Sequence, residues 1–175
     1  MIESFSMGCK RKIFHFSITK VHEGYCENIY SDTLGYLTFG IGHLITSSDP
    51  EYGQPCGTPV SEERVYEAFY DEITENEATY YYLLYPDFDF QPDFVQSIVG
   101  DMMFNLGYAG LAAFENMKAC VDAGDYECAA DEMEDSTWCG QVGLRCDKLT
   151  SMMRAQSPEH GYTEDDISSI SCNYC

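Results

Sequence analysis

Glu23 and Asp32 stand nine positions apart in the sequence, and Thr38 follows six further on. Glycoside hydrolysis needs two carboxylates from different elements facing each other across a cleft. One is protonated to donate to the leaving oxygen, and the other is ionised to assist the attacking group. In a chain with 30 Asp and Glu, such pairs also arise by chance, so spacing alone leaves two readings open: a catalytic pair or two solvated acids.

Other motifs argue for less. Gly40-Ile41-Gly42 lacks the third glycine and the following helix of a dinucleotide fingerprint, and reads as a sheet turn. Asp87-Phe88-Asp89-Phe90-Gln91 starts like a calcium loop, but Pro92 occupies the place of the obligatory glycine, so no metal is implied. Cys172-Asn173-Tyr174-Cys175 has no βαβ context and reads as a disulfide or tail rather than a redox motif. Tyr80, Tyr81, Tyr82 and Tyr85, beside Leu83 and Leu84, read as core and helix end rather than a sugar-stacking platform.

The elements that must position the acids follow from periodicity. Ile13, Phe14, Phe16, Ile18 and Val21 predict a first helix over about 11–23, closed by Glu23. From Asn28 to Ile45, aromatic and β-branched residues punctuated by Gly35, Gly40 and Gly42 predict a small antiparallel sheet, and residues 46–59 a loop. Ser61 with Glu62 and Glu63 marks the start of a long helix, in which Val65, Ala68, Phe69, Glu72 and Ile73 fall at helical spacing. Pro92 opens another, apolar nearly all round from Phe94 to Leu106 and expected to end at Gly107. Shorter helices are predicted at 111–122, 126–135 and 143–155, with Trp138-Cys139-Gly140 as a separator. The layout is α+β with helices dominant and no internal repeat.

Size and charge narrow the class. A chain of 175 residues with 45% hydrophobic content suits one domain with a real core. Nine Lys and Arg against 30 Asp and Glu leave −21 at pH 7, which excludes a sizeable cationic surface and makes nucleic acid a poor partner. No stretch is apolar for long enough to span a membrane. The nine cysteines, at 9, 26, 56, 120, 128, 139, 146, 172 and 175, are scattered rather than grouped for zinc. They read as disulfides and hence as an oxidising, extracellular setting, with an export signal absent or already removed. Cys120 with Cys128 and Cys139 with Cys146 are pairs a short turn could close, although spacing does not settle connectivity.

The segment HEGYCENIYSDTLGYLTFGIGHLIT at 22–46 resembles the active-site segment of the phage-type (T4-like) lysozymes, glycoside hydrolase family 24. That pattern is a helix-ending Glu, eight residues, Asp, five residues, Thr and then GIGH, and it is met by Glu23, Asp32, Thr38 and Gly40-Ile41-Gly42-His43. The likeness continues through 61–73, 102–117 and 135–149. It implies a lysozyme-like domain over 1–156, with a sheet lobe at about 24–60, a helical lobe at about 61–156 and the cleft between them, followed by a polar tail at 157–175.

The resemblance also implies roles. Glu23 becomes the general acid, Asp32 the second carboxylate and Thr38 the hydroxyl that positions water, with inversion at the anomeric carbon. Sugar contacts fall on Leu44, Phe104, Met117 and Glu132, the last two being departures from the type enzyme's smaller or neutral polar residues. Arg145 aligns with a cleft arginine that pairs with the catalytic Glu, and Asn105 with a cleft glutamine. His43 is assigned a structural ion pair with Glu72. The implied protein is a monomeric, secreted muramidase acting on bacterial cell-wall peptidoglycan, with no cofactor. The reading from another class is a catalytically silent glycan-binding or interaction protein on the same fold.

Overall fold

A computed structural model of the chain describes residues 18–76 and 83–157, except for the side chains of 72–76. Expectations for residues 11–17, for Tyr80, Tyr81 and Tyr82, for Cys9, Cys172 and Cys175 and for most of the tail lie outside it. The described residues fall into two compact units, one of residues 19–76 and the other of residue 18 with 83–157.

The first unit contains the helical residues 18–23, labelled α1 (residue 18 being counted with the other unit), the strands β1 (Cys26–Ser31), β2 (Leu37–Gly40) and β3 (His43–Leu44), and the helix α2 (Glu62–Asn76). The strands form one antiparallel sheet in the order β1-β2-β3. In its register Tyr30 faces Thr38, Thr38 faces Leu44 and Phe39 faces His43. Ser61 starts α2 as the sequence predicts, its Oγ accepting the Arg64 N–H at 3.2 Å. The buried face of the sheet carries Ile29 and Phe39, and Val65 and Phe69 of α2 are buried with them. Strand and helix approach so closely at Gly40 (φ 61°) that a Cβ there would meet Val65 Cγ1 at 2.4 Å, so both the conformation and the space demand glycine.

The second unit is helical: α3 (Asp93–Ala112), α4 (Glu115–Asp122), α5 (Tyr126–Glu134), α6 (Thr137–Val142) and α7 (Leu144–Ala155). As its all-round apolar sequence predicts, α3 is buried without interruption from Phe94 to Met103. Met133, Leu149, Met152 and Met153 complete the core from α5 and α7.

Two boundaries differ from expectation. Gly107 (φ 67°, ψ 176°) interrupts α3 but does not end it as expected, because helix resumes through Ala112 before the chain turns at Ala113-Phe114, so the helix expected over 111–122 starts only at Glu115. The Trp138-Cys139-Gly140 separator is instead helix α6. Ser136 caps it by accepting the Cys139 N–H at 3.1 Å, and burial of Trp138 outweighs the weak helical preference of a six-residue piece.

All six described cysteines are disulfide-bonded. Cys120–Cys128 ties α4 to α5, and Cys139–Cys146 ties α6 to α7, the two pairs that short turns suggested. No helix among the described residues is long and apolar enough to cross a membrane.

Candidate active site

In the sheet unit, Glu23 ends α1 with an exposed side chain. The helix end is anchored by Lys20, whose ammonium reaches Glu62 Oε1 at 2.9 Å and lies 3.6 Å from the centroid of the Tyr25 ring. Burial, with Glu62 and Glu27 nearby, pushes the Tyr25 phenol up to about 12.

Asp32 and Thr38 are gripped by one residue. Asp32 Oδ1 accepts the N–H groups of Leu34 (2.9 Å) and Tyr36 (2.8 Å), while the Tyr36 carbonyl accepts the Asp32 N–H (2.9 Å) and the Thr38 hydroxyl (3.2 Å). Among the described residues Asp32 Oδ2 accepts no hydrogen bond. Thr38 is buried, and its donor is spent on a carbonyl, so its remaining lone pairs are acceptors. One carboxylate oxygen is thus immobilised, the other is left open, and a hydroxyl oriented as acceptor is fixed by the same peptide. Such a pair suits a water molecule that must both donate and accept. Leu44, directly opposite Thr38, is 46% exposed.

His43 turns to the other side of the sheet, against the Phe39 ring at 4.7 Å. Its Nε2 lies 3.0 Å from Asp49 Oδ1, an acid in the predicted loop that the sequence did not single out. Asp49 also accepts the Thr46 N–H and hydroxyl and the Arg64 guanidinium. Against the opposing effect of burial, the Thr46 and His43 bonds hold its carboxyl below the usual range. Glu72, the expected partner of His43, belongs to α2, and its side chain lies outside the described residues.

In the helical unit, Met117 and Glu132 line one cavity of about 600 Å³, together with Leu106, Phe114, Asn116 and Trp138. Asn116 Nδ2 donates to Glu132 Oε2 at 3.0 Å. Met117 is fully buried and can supply only apolar surface. Phe104 is half-buried on α3, and the neighbouring Asn105 Oδ1 accepts the Trp138 indole N–H at 2.9 Å. Trp138 in turn meets Phe114 edge-on at 5.8 Å.

Arg145 is buried on α7 and forks onto Asp101 of α3, Nε to Oδ2 at 2.8 Å and Nη2 to Oδ1 at 3.0 Å. Sequence reasoning missed Asp101, although a lone acid within the apolar run 94–106 was a legible signal. No group of three or more His, Cys, Asp or Glu among the described residues is placed to hold a metal.

A three-stranded antiparallel sheet followed by a run of helices defines the α+β, lysozyme-like class. Within that class the chain belongs to the phage lysozyme family, which it matches over residues 20–156, a span containing every candidate site residue. It is also 30% identical over 150 residues to the pre-baseplate central spike protein Gp5 of Enterobacteria phage T4. That match takes in 75% of this chain and 26% of the relative, so the chain spans about a quarter of Gp5.

Proposed function

We propose that this chain is a secreted, monomeric N-acetylmuramidase that hydrolyses the β-1,4 bond between N-acetylmuramic acid and N-acetylglucosamine in bacterial peptidoglycan, with inversion. Glu23 is the general acid, and Asp32 with Thr38 positions the attacking water. The reading rests above all on the Tyr36 clasp. Holding Asp32 Oδ1 with two N–H groups while leaving Oδ2 open, beside an acceptor-oriented Thr38 hydroxyl, is what a water-activating carboxylate needs. In an inverting site the two carboxyl groups stand about 6.5–9.5 Å apart, leaving room for that water.

Leu44, Phe104, Asn105, Met117 and Glu132 are proposed as the glycan-binding set, Arg145 as a buried cation that supports it through its ion pair, and His43 with Glu72 as structural support. Acidic Glu132 and apolar Met117 at the helical cavity would alter which wall glycans fit. A charge of −21 leaves little to attract nucleic acid.

Glu23→Gln removes the transferable proton and keeps the shape, so lysis of bacterial walls should fall by orders of magnitude with folding intact. Undiminished lysis would remove Glu23 from this role. The first product seen by NMR should be the α-anomer, and a β-anomer would reject inversion.

The same negative charge opposes approach to an anionic wall and so favours a second reading, a catalytically silent glycan-binding or secreted interaction protein on the same fold whose ligand is not the intact wall. Turbidity assays across pH and salt separate the two. An enzyme limited by this repulsion lyses better in mildly acidic or moderately saline buffer, where the Debye length shortens to about 8 Å, than in dilute neutral buffer. A silent protein lyses in none.

A further inference from the structure

The register of the sheet extends the candidate site by one residue. Directly opposed residues of antiparallel strands share a face, so Tyr30, Thr38 and Leu44, one from each strand, form a continuous row. The opposite face carries Phe39 and His43, and Arg64 of α2 lies 5.3 Å from the centroid of the Phe39 ring, so α2 covers that side. The Tyr30 row therefore faces away from the α2 core. Its other two members are residues already assigned to water and sugar.

Tyr30 itself is half-buried, yet among the described residues its hydroxyl has no hydrogen-bond partner. A phenol so placed normally finds one. We propose that Tyr30 is a substrate-binding residue, its hydroxyl donating a hydrogen bond to an oxygen of the N-acetylated sugar that lies over Thr38 and Leu44. Burial, and then the nearby Asp32 carboxylate, holds the phenol above its ordinary value of 10.0, so it stays a proton donor wherever the enzyme would work. The proposal rests on the muramidase reading for the identity of the sugar, but not for the geometry of the row.

The test is Tyr30→Phe in the full chain, assayed on soluble peptidoglycan fragments beside Glu23→Gln and Tyr52→Phe, the last an exposed tyrosine outside the row. Loss of one ground-state hydrogen bond should raise KM about tenfold with kcat held within about twofold, and Tyr52→Phe should match the unsubstituted protein. Tyr30→Phe kinetics equal to the parent's, with Glu23→Gln inactive, would overturn the proposal and leave the muramidase reading standing.

A second measurement does not depend on turnover and keeps Tyr30 itself in place. The protein labelled with 3-fluorotyrosine, in the Glu23→Gln background, is titrated with the same fragments and followed by fluorine NMR. Movement of the Tyr30 resonance on binding supports the assignment even if the chain proves catalytically silent. A stationary Tyr30 resonance with fragments bound overturns it.

Discussion

Replacing Arg145 by Met should be among the most damaging single changes in the helical unit. The guanidinium is 7% exposed, and the Asp101 side chain it holds is 0% exposed. Methionine fills similar volume but leaves the Asp101 charge buried without this partner. Breaking a buried pair from one side costs about 3–5 kcal/mol. For a chain of this length each kcal/mol moves the melting temperature by roughly 2–4 °C, so a loss of about 6–20 °C is expected at pH 7.

The deficit should also depend on pH with a definite sign. Without the Arg145 cation the ionised form of buried Asp101 is less favoured, so the cost is full at high pH and fades as pH falls and the acid protonates. The double variant Asp101→Leu with Arg145→Met removes both charges and should recover much of the loss, because apolar residues of similar volume often replace a buried pair without net cost. Calorimetric or circular-dichroism melts over pH 4–8 read all three outcomes. A single variant that melts within about 2 °C of the parent, or a double variant no better than the single one, would refute the assignment of this pair as the charge balance of the helical core.

Three further outcomes follow from particular contacts. Asn105→Leu deprives the Trp138 indole N–H of its acceptor, so stability should fall by about 1–3 kcal/mol. Because Trp138 is the single tryptophan, its emission should shift as well, and unchanged fluorescence and melting would count against the bond. The Glu134 carboxyl is held below its usual 4.5 first by hydrogen bonds from Arg154, so that stabilisation is full above about 4.5 and disappears as pH falls through the lowered value. Since Glu134 is well exposed, Arg154→Met should cost at most about 1 kcal/mol at pH 7, in a deficit that closes in acid; one that persists there would contradict the ion-pair origin. Peptide mapping of the unreduced protein should recover Cys120 joined to Cys128 and Cys139 joined to Cys146, and Cys139→Ser with Cys146→Ser should cost about 2.5 kcal/mol by loop entropy. Free thiols at all four would exclude both bridges.

Local chemistry determined much of this protein. The spacing of Glu23, Asp32 and Thr38 with GIGH, the glycine-punctuated strands, the Ser61 cap of α2 and the apolar α3 were all legible, because each depends on neighbours within a turn or a hairpin. What sequence left undecided depends on residues brought together from a distance. Arg145 meets Asp101 across 44 positions and Trp138 meets Asn105 across 33, and no periodicity encodes such partners. The helix at Thr137–Val142 has a local Ser136 cap but is only six residues long, and burial of its indole is what completes it. His43 found Asp49 in a loop that reads only as polar, since a loop acid acquires a partner only when the chain folds back upon the strand. Tyr30 became part of the candidate site through strand register alone: a one-residue slip would have turned it to the other face. Sequence carried the reactive groups and the elements that bear them; tertiary packing decided which charges are paired, which hydroxyls are spent and which are left open, because those are set by distance in space.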